Sequence, residues 1–160
     1  MQVAMHRFLC CLVVLALTGC GAVASIQRLP IPERTAPIPA EATRVVVLRK
    51  AQAIGSGRSV LVFSGQREVG RLAAGSHLMW DNPTGRRLLR VVFDRPKLDG
   101  GPLETYVDHK VPAGQIVYYE VAVQGPSGST PGTPVVTRIE EAEGLRRMER
   151  SDPARFEREQ

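Results

Sequence analysis

The amino-acid sequence predicts a mainly β protein, an antiparallel β-sandwich with a short C-terminal helix. Three observations predict it. Strand-like runs rich in Val, Leu and Tyr recur between Thr43 and Gln124. Turn residues separate them about every eight to twelve residues, the spacing of all-β sandwiches. No helical pattern intervenes before Glu140. A region of about a hundred residues holds one modest core. No repeat of solenoid or propeller period is present.

The segment before that domain carries an address. Arg7 and His6 precede an unbroken apolar run from Phe8 to Leu17, the length of a secretory h-region. Thr18 and Gly19 are small, and Cys20 closes the run Leu17-Thr18-Gly19-Cys20. This run resembles the lipobox of bacterial lipoproteins. The resemblance implies a signal peptide over 1–19, a diacylglycerol on the Cys20 thiol and an acyl chain on its amine. At ~0.8 kcal/mol per buried methylene, two or more chains anchor durably. The expected place is the cell envelope, at the outer membrane facing the periplasm, with the membrane as first partner. Two other readings stay open. Ala22-Val23-Ala24 is a site for the ordinary signal peptidase, which would release the chain from Ser25. The uncharged stretch also runs on to Ile26, close to the ~20 residues that span a bilayer.

Composition agrees with export. Of the 3 cysteines, Cys10 and Cys11 lie inside the signal. Cys20 is then the last thiol, and no internal disulfide is expected. His77 and His109 stand without a Cys/His cluster at ligand spacing, so no metal and no cofactor beyond the lipid is expected. The net charge of +5 is moderate. In an exported chain it points to anionic lipid headgroups, lipopolysaccharide or plain solvation, and away from nucleic acid.

Arg28 to Ala42 reads RLPIPERTAPIPAEA, with prolines at 30, 32, 37 and 39. Proline fixes φ and lacks a donor, so 20–42 is expected to be anchor and extended tether, at ~3.1 Å per residue. A proline-rich docking ligand is the other reading.

The domain then unfolds strand by strand over 43–124. Arg44 to Arg49 is Val-rich. Ser59 to Phe63 and Glu68 to Leu72 flank Gly65-Gln66, and glycine first in a two-residue loop suits a type II′ hairpin. Ser76 to Trp80 follows Gly75, and Asp81-Asn82-Pro83-Thr84-Gly85 is a dense turn signal. Arg87 to Asp94 alternates, with Leu89, Val91 and Phe93 on one face. A loop through Pro96 and Gly100-Gly101-Pro102 leads to Glu104 to Lys110. Pro112-Ala113-Gly114 turns the chain into Gln115 to Val123. Over 125–150 come a Gly/Ser/Pro/Thr loop, an added edge strand at Val135 to Ile139 and a helix at Glu140 to Arg150. Ile139, Ala142, Leu145 and Met148 recur at threes, and Glu143 and Arg147 stand at i, i+4. Gly144 weakens that helix. Ser151-Asp152-Pro153 stops it, and 151–160 is expected to be a disordered tail.

These pieces carry a resemblance. Arg44 to Arg49 with Gly55-Ser56-Gly57, Val69-Gly70-Arg71-Leu72 with Gly75-Ser76, and Pro83-Thr84-Gly85 come in order. Val111 to Gln115 before Tyr118-Tyr119 and Glu140 to Leu145 complete the series. Their order and spacing resemble the domain-of-unknown-function family numbered 2846, small exported bacterial proteins. The family has Asp-Gly where Ser64-Gly65 stands here, and a His near Arg86-Arg87. The resemblance implies a compact sandwich of immunoglobulin/prealbumin-like architecture, often lipid-anchored, with no established activity and so no catalytic residues to carry over.

Catalytic equipment is sparse in the residues themselves. His77 and Asp81 share a strand face, but at ~3.3 Å per residue they lie ~13 Å apart. No G-x-S-x-G elbow exists. Gly55-Ser56-Gly57 lacks the third glycine of a dinucleotide loop, having Val60 there. Asp108 and His109 point to opposite faces. The chain is therefore read as non-enzymatic. Trp80 and Tyr119 read as core, and Tyr118 as able to face out. Arg86, Arg87, Arg90, Arg95 and Lys97 form the densest basic stretch and are the candidate residues for an anionic envelope ligand. Scaffolding or binding of an envelope protein is the primary expectation.

The intact mass of the mature N-terminus should correspond to cleavage before Cys20 with lipid attached. Cys20→Ser should abolish that mass and move the chain out of the membrane fraction. A soluble product starting at Ser25 is the result that would refute the anchor.

Overall fold

The computed structural model describes residues 33–53, 57–94, 104–125 and 132–154. Its strands are β1 (Ala42–Arg49), β2 (Val60–Ser64), β3 (Arg67–Leu72), β4 (Ser76–Pro83) and β5 (Gly85–Phe93). They continue as β6 (Glu104–Val111), β7 (Ile116–Gln124) and β8 (Thr133–Ile139), before helix α1 (Glu141–Glu149) and a short β9 (Asp152–Pro153). Two sheets form. One is ordered β8-β7-β1-β4-β9 and the other β3-β2-β5-β6. The sandwich expected from the sequence is present.

The two-fold alternation of side chains builds the core between the sheets. Val45, Val47, Trp80, Tyr119 and Val121 come from the five-stranded sheet. Val60, Val62, Leu72, Leu89 and Val91 meet them from the four-stranded sheet. Trp80 and Tyr119 are core residues, as the alternation predicted. Burying a Val or Leu side chain contributes about 1.5–3 kcal/mol each, so this layer dominates the stability.

The first hairpin forms as the sequence predicted. Gly65 sits at φ 63 between β2 and β3, and no described non-glycine residue takes a positive φ, which fits a type II′ turn. Between β4 and β5 the chain again leaves one sheet for the other. Gly85, at φ 110, lets it turn from β4 into β5 directly after Thr84.

Five expectations are corrected. The sandwich is not wholly antiparallel, because β1 pairs in parallel with β7, Val45 opposite Val117. A parallel pair needs a long crossover, and β2 to β6 supply it. Asp81 and Asn82 are not in a turn but complete β4, where Asp81 pairs in register with Arg44. The end of the proline-rich stretch is not a free tether. Ala36 N–H donates to Glu33 O at 3.0 Å, and the turn so formed is held by Arg44. The tail is ordered as far as Ala154, because β9 pairs in parallel with β4 and Ala154 N–H donates to His77 O at 2.8 Å. Residues 155–160 lie outside the described residues.

Tyr118 is the fifth correction. It does not face solvent. α1 packs on the outer face of the five-stranded sheet, and Tyr118 joins Val46, Leu48, Met79 and Met148 in a second apolar cluster there. Gly144 explains how the helix comes so close. A Cβ on Gly144 would lie 2.3 Å from Cγ of Tyr118. The glycine that costs helix propensity makes room for the ring.

Gly144→Ala gains about 1 kcal/mol of helix propensity but overpacks the ring, which costs about 1–3 kcal/mol or more. The expected net effect is a lower denaturant midpoint. In a Tyr118→Ala background, which removes Cγ and Cδ1, the same substitution should lose most of its penalty. Equal penalties in both backgrounds would refute the packing account.

Candidate binding surface

The outer face of the four-stranded sheet is built by alternation. In β5, Leu89, Val91 and Phe93 go inward, so Arg86, Leu88, Arg90 and Val92 point out. β6 contributes Glu104, Tyr106 and Asp108 in register with Val92, Arg90 and Leu88. β2 contributes Leu61 and Phe63 opposite Val92 and Arg90. Leu88, 41% exposed, and Tyr106, 48% exposed, are the large hydrophobic side chains left open to solvent among the described residues. They sit diagonally across the β5–β6 pair, on one face.

The two outward arginines of β5 are already paired with carboxylates. Arg86 Nε donates to Asp108 Oδ2 at 2.6 Å. Arg90 lies 3.8 Å from Glu104 and 4.0 Å over the centroid of Phe63. A hydrogen bond to Glu104 pushes the Tyr106 phenol above its usual pKa. Of the basic stretch, then, Arg86 and Arg90 do share a face, as the sequence predicted, and each holds a carboxylate. Arg87 projects to the other side of β5 and is exposed. Arg95 and Lys97 lie outside the described residues, as do Cys20 with its whole signal, Ala22 to Ala24, and Gly55-Ser56.

The residues considered for catalysis are engaged elsewhere. Asp81 takes a bidentate pair from Arg44, Nε to Oδ1 at 2.8 Å and Nη2 to Oδ2 at 3.0 Å. His77 Nδ1 lies 2.8 Å from Ser151 Oγ. Ser151 Oγ in turn donates to Met148 O at 2.9 Å, so Nδ1 carries the proton of the first bond. Asp108 serves Arg86, and the side chain of His109 lies outside the described residues. No group of three or more His, Cys, Asp or Glu among the described residues is placed to hold a metal. No described helix is long and apolar enough to cross a membrane.

Two clefts lie at the opposite end of the sandwich from the Thr84–Gly85 turn. One, of about 290 Å³, is lined by Leu48, Lys50, Ala51, Arg147, Arg150 and Ser151, with Glu120 beside Arg147. The other, of about 480 Å³, is walled by Ser59, Arg71, Ala73, Ser76 and Pro153, and meets the first at Gly75. His77 lines neither. Reading the sequence missed Arg44, Arg49 and the first cleft. Arg44 and Arg49 merely bracket an apolar strand in the sequence, and the cleft joins β1 to the end of α1.

Compared with known proteins, the chain matches no family model, no curated protein and no solved structure.

Burial lowers the pKa of His77 below its usual value, the bond to Ser151 opposing only in part. The folded state therefore binds this proton less readily than the unfolded chain. Stability is full above the unfolded pKa of ~6.5 and falls as pH drops below it toward the folded value. Thermal midpoints measured from pH 8 to 5 should show this loss, and His77→Gln should flatten that part of the profile. An unchanged slope in the variant would refute it.

Proposed function

We propose that this chain is a lipid-anchored cell-envelope protein that displays a non-enzymatic sandwich to a protein partner. The partner-facing surface is the outer face of the four-stranded sheet. The observation that carries the reading is that Leu88 and Tyr106 are both exposed, diagonally across the β5–β6 pair on one sheet face. Around them Arg90 and Phe63 stack. Tyr, Phe and Arg over an apolar patch are the residues that carry most energy in protein–protein contacts.

Orientation supports the same reading. The turn at 33–36 is held on the outer face of the other sheet, beside α1. The chain thus leaves toward Cys20 from the layer opposite Leu88 and Tyr106. The Leu17 to Cys20 run supports the anchor, and the likeness to the family numbered 2846 supports an exported sandwich without chemistry of its own. Anion binding by the Arg86 to Lys97 stretch draws less support, because Asp108 and Glu104 already occupy Arg86 and Arg90.

A photo-crosslinking residue at Tyr106 should capture a protein partner in cells, and one at Glu141 should not. Leu88→Ser with Tyr106→Ala should weaken binding of that partner about thirtyfold or more, at about 1 kcal/mol or more per truncated anchor, with the thermal midpoint unchanged. Equal capture at both positions, or capture of nothing, would sink the proposal.

A further inference from the structure

The smaller cleft has a chemistry of its own, independent of the sheet face. Its walls are apolar: Leu48, Ala51 and the aliphatic stems of Lys50, Arg147 and Arg150. Its charges are mostly positive. Arg147 is engaged by Glu143, Nε to Oε1 at 2.6 Å, and by Glu120, which also lines the cleft. The Arg49 guanidinium reaches across to the other sheet, donating to Leu72 O at 2.8 Å. Lys50 and Arg150 are different. Both are exposed at the rim, and neither is in an ion pair with a described residue.

Cations beside a helix C-terminus commonly answer its free carbonyls. Two of those carbonyls are already served. Arg147 O accepts the N–H of Arg150, and Met148 O accepts both the N–H and the hydroxyl of Ser151. The two rim cations therefore have no ion-pair partner among the described residues, and neither side chain hydrogen-bonds a carbonyl of the helix end. A volume of about 290 Å³ sits at the lower end of the ~300–1,000 Å³ range of small-molecule sites.

From this we infer that the cleft is a binding site for a small anionic amphiphile, a phosphate monoester or carboxylate on a short apolar body. The head lies between Lys50 and Arg150, and the body lies against Leu48 and Ala51. Glu120 sets a limit on the ligand: paired with Arg147, it leaves charge for a single anionic head and disfavours polyanions.

The test uses the chain from Cys20 onward with Cys20→Ser, which keeps every described residue and removes the lipid. Hexyl phosphate, inorganic phosphate and 1-hexanol are titrated while backbone amide shifts are followed by NMR. Hexyl phosphate should give saturable shifts at Lys50, Ala51, Arg150 and Ser151. Inorganic phosphate should move the same amides at least tenfold more weakly, and hexanol should not move those of Lys50 and Arg150. Lys50→Ala with Arg150→Ala should weaken hexyl phosphate at least tenfold and leave the thermal midpoint unchanged, since both side chains are exposed. Raising the salt concentration should weaken it too. Equal binding by the double variant, or no saturable shifts, would overturn the site. So would sedimentation with phosphatidylglycerol vesicles that depends on Lys50 and Arg150 while hexyl phosphate leaves the amides unmoved. That result would assign the cations to a membrane surface.

Discussion

Everything in this molecule is arranged around a strand that has no solvent face. All eight residues of β1 are buried. Its inner side chains meet the four-stranded sheet, and its outer ones meet α1. Such a strand tolerates a charge only if the charge is fully answered, because an unpaired buried ion costs several kcal/mol. Arg44 is one such charge, 1% exposed, and Arg49 at the strand's end, 3% exposed, is the other. Asp81 answers two nitrogens of Arg44 from the neighbouring strand, and Ala36 O takes a third at 2.6 Å. One side chain thus ties β1 to β4 and fastens the incoming segment onto the sheet.

That fastening divides the surfaces between two tasks. The outer face of the five-stranded sheet is filled by α1 and by the turn at 33–36, which Arg34 also links to Glu149. The sequence devotes a helix glycine to this closure, since only Gly144 lets the helix backbone reach the Tyr118 ring. Among the described residues nothing comparable covers the four-stranded sheet, where Leu88 and Tyr106 stay open. The asymmetry is physical: one face is occupied by the chain's own segments, and among the described residues the other keeps Leu88 and Tyr106 exposed.

Much of the fold was legible because it depends on local patterns. Alternation in Leu89, Val91 and Phe93 named the inner face of β5, and Gly65-Gln66 named the first hairpin. The helix over Glu141–Glu149 followed from its threes and from Glu143 with Arg147. What stayed hidden depends on pairing between distant residues. Asp81-Asn82-Pro83 has the composition of a turn, and only the register of β4 against β1 makes Asp81 a strand partner of Arg44. Tyr118 alternates away from the core between the sheets. A strand with a second layer on its outside has no outward position, and no local pattern announces that layer. The same holds for the cleft, whose cations are a hundred residues apart in the chain and meet only because α1 ends over the end of β1.

The basic residues show why a charge run is a poor guide to a binding site. By density along the sequence, Arg86 to Lys97 stands out. In the sheet, a strand neighbour lies within reach of every outward side chain, and β6 offers Asp108 and Glu104 to Arg86 and Arg90. Cross-strand pairing of this kind contributes a few tenths of a kcal/mol to sheet register and consumes the charge locally. Lys50 and Arg150 are isolated in sequence and unremarked by any density measure. They lie past the end of a strand and at the end of a helix, where the strand carboxylate lining the same cleft, Glu120, is paired with Arg147. A cation's availability here is decided by what the fold places opposite it. Positions just beyond the last ladder pair are where a positive charge stays free to hold something else.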